Sequence, residues 1–365
     1  MAFRYRYEGV DEEAFDKEGQ ASTLRTVVSY RTLPWRGLSL FLEAEDVHDL
    51  GAADLHDNGG FGGDGNGVAD RPVIKDVEGT ELNQAHLRIS LGETTIDAGR
   101  REIELGDQRF VSSFPHRQNR QSFDALAVRN ETLAGTTLTY VYSWNANRVD
   151  REQRHMETHL LDARIDLGFA DLAAYGYLVD FTQERNFGAS TDTFGLELSG
   201  ANEIAAATDV VWEAEIADQS DAGDNPGTVD ALYARLRAGV ARPTWKVEVS
   251  WELLEGSPGR GAFSTPLATV HKWHGWADKF GTTPENGLDD LNVKLTGTVG
   301  RFEWLAVAHR FASDTGGLDY GSELDLRALW RSPWEQTFAV DAALYDADAF
   351  ATDTTKVWFW TSYAL

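Results

Sequence analysis

Short turns and long loops alternate along this chain, and few folds can use that arrangement. Turn residues recur roughly every dozen positions from one end to the other. The connections at Pro34-Trp35-Arg36-Gly37, Gly92-Glu93, Ala134-Gly135, Gly168-Phe169-Ala170, Arg242-Pro243, Gly300 and Ser332-Pro333 are tight, whereas those around residues 10–21, 49–80, 106–120, 148–155, 218–227 and 257–287 are long. Between them the side chains change character every second residue, which is the period of a strand. Leu161, Ala163, Ile165 and Leu167 alternate with Leu160, Asp162, Arg164 and Asp166; Trp245, Val247, Val249, Trp251 and Leu253 alternate with Lys246, Glu248, Ser250 and Glu252. One face suits lipid and the other suits water. A sandwich in water has no reason to gather every tight turn at one end. A closed barrel crossing an outer membrane does, with short turns on the periplasmic side and long loops outside.

Read this way the chain is an all-β protein, one closed antiparallel transmembrane β-barrel spanning residues 1–365. Eighteen strands are expected, near 2–9, 22–33, 38–48, 81–91, 94–105, 121–132, 136–147, 156–167, 171–183, 192–200, 205–217, 228–241, 244–256, 288–299, 301–313, 321–331, 334–346 and 354–365. Each is long enough for a tilted crossing of roughly 9 to 11 residues. An even number puts both termini on the periplasmic side, so the strand at Phe3 to Tyr7 should pair with that at Lys356 to Leu365 and leave no open edge. No linker divides the chain, and no apolar run is long enough for a transmembrane helix. Tyr140, Tyr142 and Trp144, Tyr175 and Tyr177, and Trp358 and Trp360 are expected at the membrane interfaces, where aromatic girdles sit. The closing KVWFWTSYAL presents Phe359 and Tyr363 as an outer-membrane C-terminal strand would. Cysteine is absent, in keeping with an oxidising envelope compartment. The chain opens inside an alternating segment, FRYRYE, which suggests that a leader is removed ahead of it. The expected location is therefore the bacterial outer membrane, against lipid and lipopolysaccharide, as a monomer without a nucleic-acid partner.

The stretch from Gly99 to Glu131, GRREIELGDQRFVSSFPHRQNRQSFDALAVRNE, reads as strand, long loop, strand. Its loop carries Arg109, Arg117 and Arg120 without a helical period. An arginine-rich loop folded into a wide barrel can line a water-filled channel and present fixed positive charge. These three, with Arg101, Asp124 and Arg129 at the roots of the loop, and Arg235, Arg237 and Lys272 elsewhere, are the candidate constriction and solute-binding residues. The competing reading is that such lumenal charges form cross-strand ion-pair ladders that stiffen the wall. A net charge of -26 points the other way, toward cations. The acids, however, crowd the outer loops, Asp11 to Glu18 and Asp46 to Glu78, where salt screens them beyond about 10 Å.

GRREIELGDQRFV followed by HRQNRQSFDA, from Gly99 to Ala125, resembles the signature of the alginate export family of outer-membrane proteins. FSTPLATVHKWHGWADKFGTTPENGLDDL, from Phe263 to Leu291, resembles a second block of that family. The resemblance implies an eighteen-stranded barrel for passive passage of an anionic or small polar solute, an anionic polysaccharide such as alginate or a uronate among them, through an arginine-lined pore. No covalent chemistry and no cofactor are expected of such a channel. An outer-membrane barrel enzyme acting on lipid or envelope polysaccharide is the alternative from another class, although no GxSxG motif or zinc pattern is present. GGFGGD, from Gly59 to Asp64, matches the start of a calcium-binding nonapeptide, with Asp64, Asn66 and Asp70 as candidate calcium ligands. A single copy without stacking neighbours is more often a flexible glycine loop. His271, Lys272, Trp273, His274 and Trp276 suggest a metal or sugar-stacking platform, or a loop folded into the barrel mouth.

Overall fold

Alternation builds the wall. The computed structural model describes the whole chain, Met1–Leu365. Its strands are β1 (Ala2–Glu12), β2 (Gly19–Arg31), β3 (Leu38–Asp49), β4 (Gly79–Leu91), β5 (Thr94–Arg101), β6 (Ser122–Asn130), β7 (Thr136–Asn147), β8 (Gln153–Asp166), β9 (Asp171–Val179), β10 (Thr191–Ala205), β11 (Thr208–Asp221), β12 (Asp230–Arg242) and β13 (Trp245–Leu254). A two-residue pair, β14 (Gly256–Ser257) and β15 (Gly261–Ala262), stands inside the next loop. The wall resumes with β16 (Leu288–Val299), β17 (Phe302–Ala312), β18 (Asp319–Arg331), β19 (Thr337–Ala347) and β20 (Thr354–Ala364). Eighteen strands form one antiparallel sheet, each beside its neighbours in sequence, with β13 pairing β16. The sheet closes where β1 meets β20, Ala2 opposite Ala364 and Glu12 opposite Thr354, so no edge is left unpaired.

Leu161, Leu196, Ile216, Leu236, Val249, Leu291, Leu326, Val340 and Phe359 all stand exposed on the outer face. On a closed barrel such an apolar band is the membrane-facing surface. The inner face carries the ion-pair ladders: Arg25 to Glu45 at 2.6 Å, Arg88 to Asp97 at 2.7 Å, Arg164 to Asp162 at 3.1 Å and Arg327 to Asp341 at 2.6 Å. Pairing lets the wall carry charge without presenting all of it to the pore.

The wall departs from the sequence reading where aromatic content was taken for position. Tyr175 and Tyr177 are buried in the lumen, their hydroxyls on Glu215 (2.8 Å) and Asp162 (3.4 Å). Trp358 and Trp360 also face inward and line a lumenal cavity. Of the expected girdle, Tyr140, Tyr142 and Trp144 do stand outside, with Trp144 exposed and Tyr140 bonded to His159 at 2.8 Å. Two boundaries also move. β5 ends at Arg101 because Ile103 and Leu105 turn in to bury themselves. β10 and β11 run on to a two-residue turn in which Ala207 takes φ 52°, a left-handed position that no glycine announces.

Candidate functional site

Two outer loops fold into the lumen instead of standing above it. In the loop of residues 102–121, Phe110 is the apolar anchor, its ring 5.2–6.0 Å from those of Tyr175, Tyr177, Tyr233 and Phe263. Replacing Phe110 with alanine should weaken the seating of this loop by about 3–5 kcal/mol. Faster proteolysis within residues 102–121, with the barrel intact, is the measurement that checks it. The backbone at Gln108 and Phe114 is left-handed, φ 74° and 57°, which is rare for a bulky residue and needs support from its surroundings. The Ser112 hydroxyl accepts the Phe114 N–H at 3.1 Å, and the Arg148 guanidinium covers the Phe114 ring at 5.0 Å.

The loop of residues 255–287 meets the first one across the lumen. Val111 and Leu267 form a parallel bridge, and Ser112 N donates to Leu267 O at 3.1 Å. Gln121 Nε2 ties both backbones, donating to Ser112 O (2.8 Å) and Leu267 O (3.1 Å). His116 and His271 stack face to face, 4.0 Å between centroids and 6° between planes. Asp278 is the electrostatic clasp: Oδ2 accepts from Arg117 (2.9 Å) and Lys356 (3.2 Å), and Oδ1 lies 2.9 Å from His271 Nδ1. Burial alone would raise the Asp278 carboxyl, but Lys356, His271 and Arg117 hold it well below the usual carboxylate range. His116 is pushed well below the ordinary imidazole value, first by burial and then by His271 and Arg117, so it is neutral at pH 7.

The second loop is also held to the wall. Trp276 N and Ala277 N point at Asp325 (3.3 Å) and Glu323 (2.7 Å) of β18. Gly275 makes this approach possible, since at φ 82° any side chain would strike the Glu323 carboxylate. What remains open is a cavity of about 550 Å³ between the loops and the wall from β12 through β20 to β1. Seven of its lining side chains are basic and four acidic. Trp273, Trp276, Trp358 and Trp360 also border it, with Arg327 over Trp276 (4.8 Å) and Trp360 (5.9 Å) and Lys272 over Trp273 (4.6 Å).

The residues expected at the constriction divide sharply. Arg117, Arg237 and Lys272 border the cavity. Arg109 does not: it is 1% exposed, bonded to Glu252 at 2.5 Å and beside His274 at 3.2 Å. Arg235 is likewise buried, bridging Asp107 (2.8 Å), Glu213 (2.5 Å) and Glu215 (2.9 Å) beneath Trp273. Arg120 spends its charge on Glu102 at 3.7 Å, Arg101 on Asp97, Asp124 on Arg100 at 2.7 Å, and Arg129 on Glu131 at 2.7 Å. The arginines of the 102–121 loop thus serve mainly to fix it.

Arg4 and Lys294 are not among the residues the sequence singles out. Arg4 directs its guanidinium at Gln118 Oε1 (2.8 Å), Pro115 O (3.1 Å) and Arg117 O, none of them charged. Lys294 faces the cavity without an ion-pair partner. Lys272 donates to the carbonyl of Asp107 at 2.7 Å rather than to its carboxylate. These three are the cations of the cavity lining that make no salt bridge within 4.0 Å. Only the partners, which come from distant segments, reveal it.

The calcium candidates do not converge. Asn66 gives its amide to Ala53 O (2.9 Å) and His56 O (2.8 Å), Asp64 lies 3.7 Å from Arg151, and Asp70 pairs with Lys17. Asp64 and Asp70 turn to cations outside residues 50–78 and Asn66 to backbone within them, so each candidate has a partner of its own.

No protein-family model matches the chain, and no curated protein sequence matches it either, so the resemblance to the alginate export family finds no support there. Solved structures do match. OccK9 (OpdG) of Pseudomonas aeruginosa superposes with a TM-score of 0.76 at 14% identity, over 99% of this chain and 96% of that one. OpdK of Pseudomonas aeruginosa, solved with vanillate, gives 0.77 at 11% identity over 100% and 97%. OccAB3 of Acinetobacter baumannii gives 0.75 at 9% identity over 99% and 98%. Identities this low carry the fold and no more. With its closed wall and apolar outer band, the chain is an eighteen-stranded β-barrel of the bacterial outer membrane.

Proposed function

We propose that this barrel is a passive channel for small anionic solutes, carboxylates above all. The observation that carries the reading is the set of uncompensated cations, Arg4, Lys272 and Lys294, around a cavity of about 550 Å³. Most lumenal acids are locked in pairs with arginine, and the acidic outer loops stand in open water where salt screens them. A cyclic carboxylate suits the cavity because its flat faces can lie along the tryptophans while its charge meets the lysines. Vanillate, present in the OpdK structure, is such a molecule. Uronates share the design, one ring with one carboxylate. A polysaccharide such as alginate is the less favoured reading, since two loops cross the lumen and the open space suits a single ring better than a chain. Transport of this kind needs no cofactor and no covalent step, and one barrel encloses its own path, so a monomer suffices.

Liposome swelling tests the proposal with three sugars of one size: a uronate, its neutral parent and the matching amino sugar. The uronate is expected to enter fastest. Faster entry of the amino sugar would show that the carboxylates of the lumen set the field.

A further inference from the structure

We infer that His116, His271 and Asp278 form a transition-metal site that joins the two lumenal loops at the constriction. Their candidate donor atoms, one from each residue, lie within 4.8 Å of one another. The set is two imidazoles and a carboxylate, the donors that suit zinc, nickel or copper rather than calcium or magnesium. His116 comes from one loop and His271 with Asp278 from the other, so a bound ion would bridge them.

The division of labour on Asp278 makes room for the ion. Arg117 and Lys356 both use Oδ2, while Oδ1 faces only His271 Nδ1 at 2.9 Å. That separation suits two ligands on one ion, because bonds of about 2.0–2.2 Å at tetrahedral or right angles set their donors about 3 Å apart. The ion takes the place of the proton between His271 Nδ1 and Asp278 Oδ1, and the neutral ring then carries its one N–H on Nε2. His116 must swing out of its 6° stack to bring a nitrogen to the same point. Thr269 Oγ1, at 3.5 Å from His116 Nδ1, holds it only weakly.

Three protein donors leave a fourth position open toward the cavity, which His116 and His271 both border. The nearby cations weaken the attraction for a bare divalent ion. They also favour an anion in the fourth position, such as chloride or a solute carboxylate. The site therefore takes a divalent transition metal together with an anionic ligand, at modest affinity. An ion there staples the loops and stands in the path.

Single-channel recording in a planar bilayer, with zinc chloride added at up to millimolar concentration, reads the effect directly. Most of the open-channel current should be lost, and a chelator should restore it. His116→Phe keeps a flat ring against His271 while removing a donor, so whatever current it carries should no longer be blocked by zinc; H271F is the second variant. Unchanged current in the unmodified protein, or equal block in both variants, overturns the assignment. Calorimetry of zinc binding to the purified barrel gives an answer that does not rest on the channel reading. Zinc heat that disappears in H116F supports the site even where no current is seen, and heat unchanged by H116F and H271F removes it.

Discussion

Replacing Lys272 and Lys294 together with glutamine is expected to abolish most of the anion preference proposed for this barrel. A charge in the narrow zone passes within several ångströms of each ammonium, at a spacing where one unit charge is worth about 1–3 kcal/mol after partial screening. Each lysine therefore changes the relative permeability of anions about tenfold or somewhat more. The reversal potential in a salt gradient should move strongly toward cations in K272Q/K294Q. Arg120→Gln serves as the comparison, because its guanidinium already faces Glu102 and lies off the cavity. A large shift in R120Q with none in the lysine pair would return the filter to the loop arginines and remove the uncompensated lysines from the mechanism.

Arg109→Met should act on the shape of the pore instead of its charge. Arg109 shares a buried knot with Glu252, His274 and Tyr233, whose hydroxyl donates to Glu252 at 2.6 Å. Removing one side of a buried pair typically costs about 3–5 kcal/mol. The barrel, held by its ladder of strands, should survive. The cost falls on the loop of residues 102–121, which should leave its seat part of the time and give a larger, noisier conductance. The double variant R109M/E252L replaces the knot with apolar contact of similar volume and should quiet the channel again, since two well-packed apolar groups can match a buried ion pair. Persistent noise in the double variant, equal to that of R109M, would mean that Arg109 holds the loop through something other than Glu252.

Both predictions turn on information that local sequence does not carry. The strand count and the β1 to β20 closure followed from residue parity and turn spacing, because a period of two is visible in any stretch of ten residues. Parity could also have corrected the girdle: Lys356, Trp358 and Trp360 share one face of β20, and Val357 and Phe359 share the other. The aromatic composition outweighed that pattern when Trp358 and Trp360 were read as lipid-facing. For Tyr175 and Tyr177 the segment Asp171–Val179 is apolar on both faces, so alternation offered no decision. Which cations stay uncompensated was out of reach altogether. Arg109 finds Glu252 143 residues away, Arg117 finds Asp278 161 away, and Arg4 finds only carbonyls and an amide more than a hundred away. Counting arginines pointed to a loop that does fold into the lumen, but could not say which of its charges find partners there.

The strands that meet at the seam are also those that grip the two lumenal loops. Arg4 and Arg6 of β1 hold the carbonyls of Pro115 and His116, at 3.1 and 2.8 Å, and Lys356 of β20 holds Asp278 at 3.2 Å. While the seam is open during insertion, neither grip is in register with its opposite number, and the constriction cannot be complete. If the barrel is a channel as proposed, its narrowing is tied to the pairing of the first strand with the last, and zipping the seam is the step that both ends the folding of the wall and sets the bore.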